Sequence, residues 1–75
     1  MIEWKACADG REVRVHASDY DSAIAKAAQG LQVSNTRVDV LGLRCDVCRA
    51  WVTGVYTVFR DGYEWHVCRP CTSSL

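Results

Sequence analysis

Cys45, Cys48, Cys68 and Cys71 form two Cys-x-x-Cys pairs with nineteen residues between the pairs. Two residues between cysteines let both thiolates turn toward one ion while nearby backbone amides donate to the sulfurs. Zinc prefers four such soft ligands in a closed tetrahedron, with bonds of about 2.3 Å. The spacing fits a four-thiolate zinc site closely. Such a site holds a chain together without performing a reaction, because four thiolates leave no free position for water or substrate. Two disulfides are the competing covalent chemistry. A Cys-x-x-Cys disulfide is usually redox-active, and two in one small domain would be odd. Iron is the competing metal, since four-thiolate sites accept it.

The chain that must position these sulfurs has 75 residues, enough for one domain or for two very small subdomains sharing a core. A chain this short has a small core and often needs a staple such as a metal. Its hydrophobic fraction of 49% suits a folded protein and argues against disorder. No apolar run approaches the roughly 20 residues that cross a bilayer. The opening residues lack a secretory pattern, so the expectation is a cytoplasmic protein, where paired cysteines serve as metal ligands more readily than as disulfides. Nine Lys and Arg balance nine Asp and Glu, for a formal charge of +0 with neutral thiols. Four thiolates and a dication would shift the balance by about −2. That leaves no global basic excess of the kind nucleic-acid binders carry, although a local patch is not excluded.

The chain divides near residue 44 with no linker, so that 1–43 and 44–75 are read as subdomains of the single domain 1–75. Residues 2–17 predict a β-hairpin around Asp9-Gly10, a pair suited to a type I′ turn. That turn pairs Ala8 with Arg11, Ala6 with Val13, Trp4 with Val15 and Ile2 with Ala17, an apolar face apart from Arg11. The other face pairs Cys7 with Glu12, Lys5 with Arg14 and Glu3 with His16. A slip of one residue would destroy this segregation. Lys5 opposite Arg14 is a like-charge pair, which Glu3 and Glu12 are placed diagonally to offset.

Residues 19–29 predict a helix, capped by Ser18, with Asp21 at its third position and Gly30 ending it in a left-handed cap. Ala23, Ile24, Ala27 and Ala28 line one side, small enough to approach the hairpin's apolar face closely. Residues 37–43 predict a third strand broken by Gly42. Residues 51–67 predict a second hairpin around Asp61-Gly62, pairing Arg60 with Tyr63, Val58 with Trp65 and Tyr56 with Val67. The expected fold is therefore α+β: a small β-β-α-β unit followed by a zinc-knuckled β-hairpin.

With Cys45-Asp46-Val47-Cys48, a hairpin and Cys68-Arg69-Pro70-Cys71 in order, residues 44–75 resemble the zinc-ribbon and treble-clef groups of zinc fingers. The resemblance implies one structural zinc ion. A treble clef opens a helix from its second pair, and only Thr72-Ser73-Ser74-Leu75 follow here, which favours the ribbon. Rubredoxins, as a family, carry Cys-Pro-x-Cys-Gly knuckles. Arg49 stands here where their first glycine would, and Thr72 follows the second pair, which lowers the iron reading. The resemblance does not transfer a function, because such fingers bind DNA, RNA, protein or only their own core.

The remaining candidates each have a plainer reading. Cys7 is a fifth cysteine that could be a reactive thiol or alternative ligand, or an ordinary unpaired thiol under neighbouring structure. His66, two residues before Cys68, could replace a ligand, but its position opposite Thr57 reads as surface, as does that of His16. Arg44, Arg49 and Arg69 flank the knuckles and, with Trp51, Phe59 and Tyr63, could form a partner-binding surface. The plain alternatives are a solvated face, or arginines that neutralise the zinc tetrathiolate. Three Trp and three Tyr exceed what a minimal core must bury. No phosphate loop, nucleophile elbow or open metal site is evident, so an enzyme with a small-molecule substrate is not expected. The expected role is a protein-binding adaptor or accessory module, of a kind that would suit a prokaryote or phage. A nucleic-acid-binding zinc ribbon is the alternative, and a redox protein using two dithiols a third.

Overall fold

The computed structural model describes residues 1–75. Strands β1 (Ile2–Ala8) and β2 (Arg11–Ala17) form the first hairpin, helix α1 spans Tyr20–Leu31, and β3 covers Asp39–Arg44 after a 3-10 turn at Asn35–Arg37. Strands β4 (Trp51–Val52), β5 (Tyr56–Arg60) and β6 (Tyr63–Val67) follow, and a 3-10 turn at Arg69–Ser74 closes the chain. The molecule is a mixed helix-and-strand fold with two antiparallel sheets, one of order β2-β1-β3-β4 and one of β5-β6. No helix is long and apolar enough to cross a membrane.

Both hairpins take the register expected of their Asp-Gly turns, from Ile2 opposite Ala17 to Ala8 opposite Arg11, and from Tyr56 opposite Val67 to Arg60 opposite Tyr63. Asp9 and Gly10 have φ of 53° and 77°, and Asp61 and Gly62 have 53° and 81°. Two consecutive positive φ values are what a type I′ turn requires, and glycine accepts the second without strain.

Helix α1 lies on the inner face of the first hairpin. Ile2, Trp4, Ala17 and Ala23 form one buried cluster, and Ala6, Ala27, Ala28 and Val38 form the next. Alanine facing alanine lets helix and sheet approach closely, but it removes little area from water per residue. Trp4 supplies the bulk: it is 5% exposed, and its indole N–H donates to the Ala17 carbonyl at 3.0 Å. Only 15 of the 75 residues are buried, and six of these are alanines, so this core is thin for the chain's length.

The helix ends differ from the expectation. Asp19, not Ser18, is the N-cap: its carboxylate accepts from the Ser22 N–H at 2.8 Å, a bond that holds its pKa below the ordinary value. At the other end the helix runs through Gly30, and Gln32 takes the left-handed position at φ 58°. Burial of Leu31 explains the extension, because stopping at Gly30 would pull that side chain from the core. Arg11 from the β1–β2 turn then caps the Leu31 carbonyl at 2.5 Å. A Cβ at Gly30 would meet only Val13 Cγ2, at an ordinary 3.8 Å. Gly30→Ala should therefore stabilise the protein by about 0.5–1 kcal/mol. A thermal melt checks it, and a destabilised variant would restore Gly30 as the helix stop.

Two corrections concern the strands. Gly42 does not break β3 but pairs with Lys5, and the irregularity lies one residue earlier, where the register shifts from Lys5–Gly42 to Ala6–Val40 and leaves Leu41 as a bulge. The stretch 51–67 is also not one hairpin. Trp51 and Val52 pair with Arg44 and Leu43 as the edge of the first sheet, and the second hairpin begins only at Tyr56. The first knuckle is itself the reversal that returns the chain onto β3: the Cys45 N–H donates to the Ala50 carbonyl at 3.0 Å and the Arg49 N–H to the Cys45 carbonyl at 3.1 Å.

Candidate metal centre

Four elements converge on the sulfurs. Cys45 follows β3, Cys48 sits in the β3–β4 reversal, Cys68 follows β6, and Cys71 lies in the final 3-10 turn. The four Sγ atoms all lie within 4.8 Å of one another. Cys48 and Cys68 Sγ are 3.7 Å apart. The edge of a tetrahedron with bonds of about 2.3 Å is about 3.8 Å, so this arrangement can hold one metal ion. Cys45, Cys68 and Cys71 are buried, and Cys48 is exposed. Cys7 belongs to the first hairpin and is not among the clustered sulfurs, which rules it out as an alternative ligand here.

The donors that prepare the sulfurs are backbone amides. Cys45 Sγ accepts from the N–H groups of Val47 at 3.4 Å, Cys48 at 3.5 Å and Cys68 at 3.4 Å. Burial opposes ionisation of this thiol, but the amides of Cys68, Cys48 and Val47 together with the Cys48 thiol outweigh it and bring its pKa down to about 6. Cys71 behaves in the opposite way: its hydrogen bond with Cys68, then burial, push it up to about 12. Cys45 is therefore the natural anchor thiolate, and a metal must displace a firmly held proton from Cys71.

Asp46 is the supporting residue that the spacing does not reveal. Its N–H donates to the His66 carbonyl at 2.9 Å, and its carboxylate accepts from the His66 N–H at 2.8 Å. These two bonds lock the first knuckle to β6, and so to the second cysteine pair. His66 contributes through its backbone, while its ring reaches Thr57 Oγ1 at 3.4 Å. A position inside Cys-x-x-Cys was the available signal, but the partner strand is not visible from spacing. Asp46→Ala should weaken metal affinity about 10- to 100-fold while leaving all four sulfurs present, as loss of a supporting contact does. Competition with a chromophoric chelator measures this.

The six residues expected at a partner surface fall in separate places. Arg44, Arg49 and Trp51 gather on the outer face of the first sheet. Arg44 reaches Glu3 at 3.5 Å, Arg49 reaches Glu3 at 3.9 Å, and the Arg49 carbonyl accepts from Arg44 Nε at 3.2 Å. No arginine donates to a sulfur, so the local task of Arg44 and Arg49 is to tie the first knuckle to β1. Arg49 does so at φ 64°, a left-handed conformation that costs a non-glycine residue roughly 1 kcal/mol. Phe59 and Tyr63 instead flank the tip of the second hairpin, 75% and 70% exposed. Arg69 is exposed at the second knuckle, where it lines a shallow depression with Tyr56 and Thr72.

No protein-family model, curated protein or solved structure matches this chain.

Proposed function

We propose that the chain is a small structural-zinc module that presents its second hairpin to another protein. Zinc is the metal best suited to four thiolates around one closed point. A zinc-ribbon-like reading of residues 44–75 is supported by the two knuckles at the base of a hairpin, with only a 3-10 turn after the second pair. The ion is structural, because the cysteines fill all four positions, and no catalytic role is assigned.

The observation that carries the protein-binding reading is the exposure of large side chains on β5-β6. Tyr56, Phe59 and Tyr63 are 53%, 75% and 70% exposed on an isolated two-stranded sheet. Such a sheet is marginal on its own. A metal that closes its base keeps those rings in place without covering them. Aromatic side chains that cost little entropy to immobilise are typical anchors of protein interfaces.

The test is native mass spectrometry of tagged protein from cell extract, comparing the wild type with Phe59→Ser/Tyr63→Ser. The expected result is one zinc ion in both and a partner retained only by the wild type, at high as well as low salt. A partner held equally by the double variant, or lost on raising salt, would overturn the hairpin as an apolar interface.

A further inference from the structure

The outer face of the four-stranded sheet carries a cation cluster in which Lys5 and Arg14 serve neither the metal centre nor the second hairpin, while Arg44 and Arg49 also tie down the first knuckle. Lys5 and Arg14 are direct cross-strand partners on β1 and β2. Like charges so placed repel. The compensation expected from Glu3 and Glu12 is not made. The ion pairs of the molecule are Arg37–Asp9, Arg44–Glu3 and Arg49–Glu3, which leaves Lys5 and Arg14 without a carboxylate.

Both lie instead against Trp51, from the far edge of the sheet. Lys5 Nζ is 4.6 Å from the ring centroid, Arg44 Cζ 4.8 Å and Arg14 Cζ 5.4 Å. Gly42 lets β4 lie close at this point. A Cβ there would sit 3.1 Å from the Val52 carbonyl oxygen, so β4 would have to give by a few tenths of an ångström, and 3.7 Å from Trp51 Cβ, an ordinary contact. The indole thus gathers cations from β1, β2 and β3 around one ring, and its negative faces offset part of their repulsion. With Arg49 this face holds four cations against the carboxylates of Glu3 and Glu12, an excess of two on a chain of formal charge +0.

We propose that this face binds single-stranded nucleic acid, with Lys5, Arg14 and Arg44 on backbone phosphates and Trp51 holding them in place. Charge complementarity calls for an anion. Three of the four cations are arginines, whose planar forks grip phosphate oxygens in pairs. Guanidinium planes are also surfaces on which unpaired bases stack. The cations lie across a sheet face, on which a strand can be laid, and not on a helix or ribbon shaped to enter a duplex groove. This proposal is independent of the hairpin reading, since it uses different residues on a different sheet.

The test uses the metallated full-length protein and a fluorescein-labelled thymidine oligonucleotide, followed by anisotropy across a salt series. Three phosphate contacts predict a slope of log K against log salt of about −2, or about fifteenfold weaker binding at 200 mM than at 50 mM salt. Lys5→Gln/Arg14→Gln should reduce the slope to about −0.7 and weaken low-salt binding at least about tenfold. Its melting temperature should hold or rise, because a like-charge pair is removed. Arg60→Gln, on the other sheet, should bind as the wild type does. Equal binding by the double variant, a flat salt response, or equal competition by a duplex or a polyglutamate peptide would each overturn the proposal.

Discussion

Cys45→Ser should abolish metal binding and unfold the second hairpin. Three of the four buried residues in the C-terminal cluster are cysteines themselves, with Val67 the fourth. Once the sulfurs no longer share an ion, little apolar core remains to hold β5-β6 to the first sheet. The binding energy of a structural zinc ion, about 10–16 kcal/mol, is comparable to the whole stability of a typical domain, about 5–15 kcal/mol. Cys45 is the ligand whose loss costs most, because three backbone amides are already directed at its sulfur. Metal analysis should find the variant empty, and amide exchange should find residues 56–67 unprotected. Cys7→Ser should melt and bind metal as the wild type does. A Cys45→Ser protein that keeps cooperative unfolding and protected β5-β6 amides would contradict the metal-stapled architecture.

Acid should reproduce the same loss in a predictable direction. Metal binding needs thiolates, so protons compete with the ion and affinity falls as pH falls. Cys45, with its pKa lowered to about 6, is the ligand that resists protonation longest. Retention of the metal should therefore decline steadily on acidification, as protons compete for all four sulfurs. Chelator competition at a series of pH values checks the sign.

Trp4→Ala should cost about 3–5 kcal/mol, the usual range for removing a large buried aromatic. Around Trp4 the core offers mainly Ile2, Ala17 and Ala23, with Val15, Val40, Leu43 and Val55 at its margin. Alanines already at their smallest cannot collapse into the space, so the cavity persists. The Ala17 carbonyl also loses its indole donor. For a chain of this length that cost is most of the available stability. Urea denaturation followed by circular dichroism should find the variant unfolded or close to it, whereas Trp4→Phe should remain folded with a lower midpoint. A Trp4→Ala midpoint near that of the wild type would mean that the first core lies elsewhere.

Both hairpin registers could be read in advance because turn chemistry and alternation act over a few residues and agree with each other. The clustering of the four sulfurs was legible for a related reason: two Cys-x-x-Cys pairs leave a soft metal few other geometries. The helix was legible in its apolar side but not in its ends. Ser18 and Gly30 are good caps locally, but Asp19 takes the N-cap through its bond from the Ser22 N–H, and burial of Leu31 carries the helix past Gly30. Asp46 and Gly42 were not legible, because their importance lies in partners twenty and ten residues away.

Local patterning was sufficient for two turns, an alanine-sided helix and a four-sulfur cluster. Packing in three dimensions alone decided that Trp51 and Val52 would leave the second hairpin for the edge of the first sheet. The knuckle reversal makes that choice, by folding the chain back on β3 before the hairpin begins. From it follow the indole above Gly42, the three cations gathered there and the separation of two surfaces that looked like one. A side chain's neighbours across a sheet depend on strand order, and strand order is settled by contacts too distant along the chain for any periodicity to record.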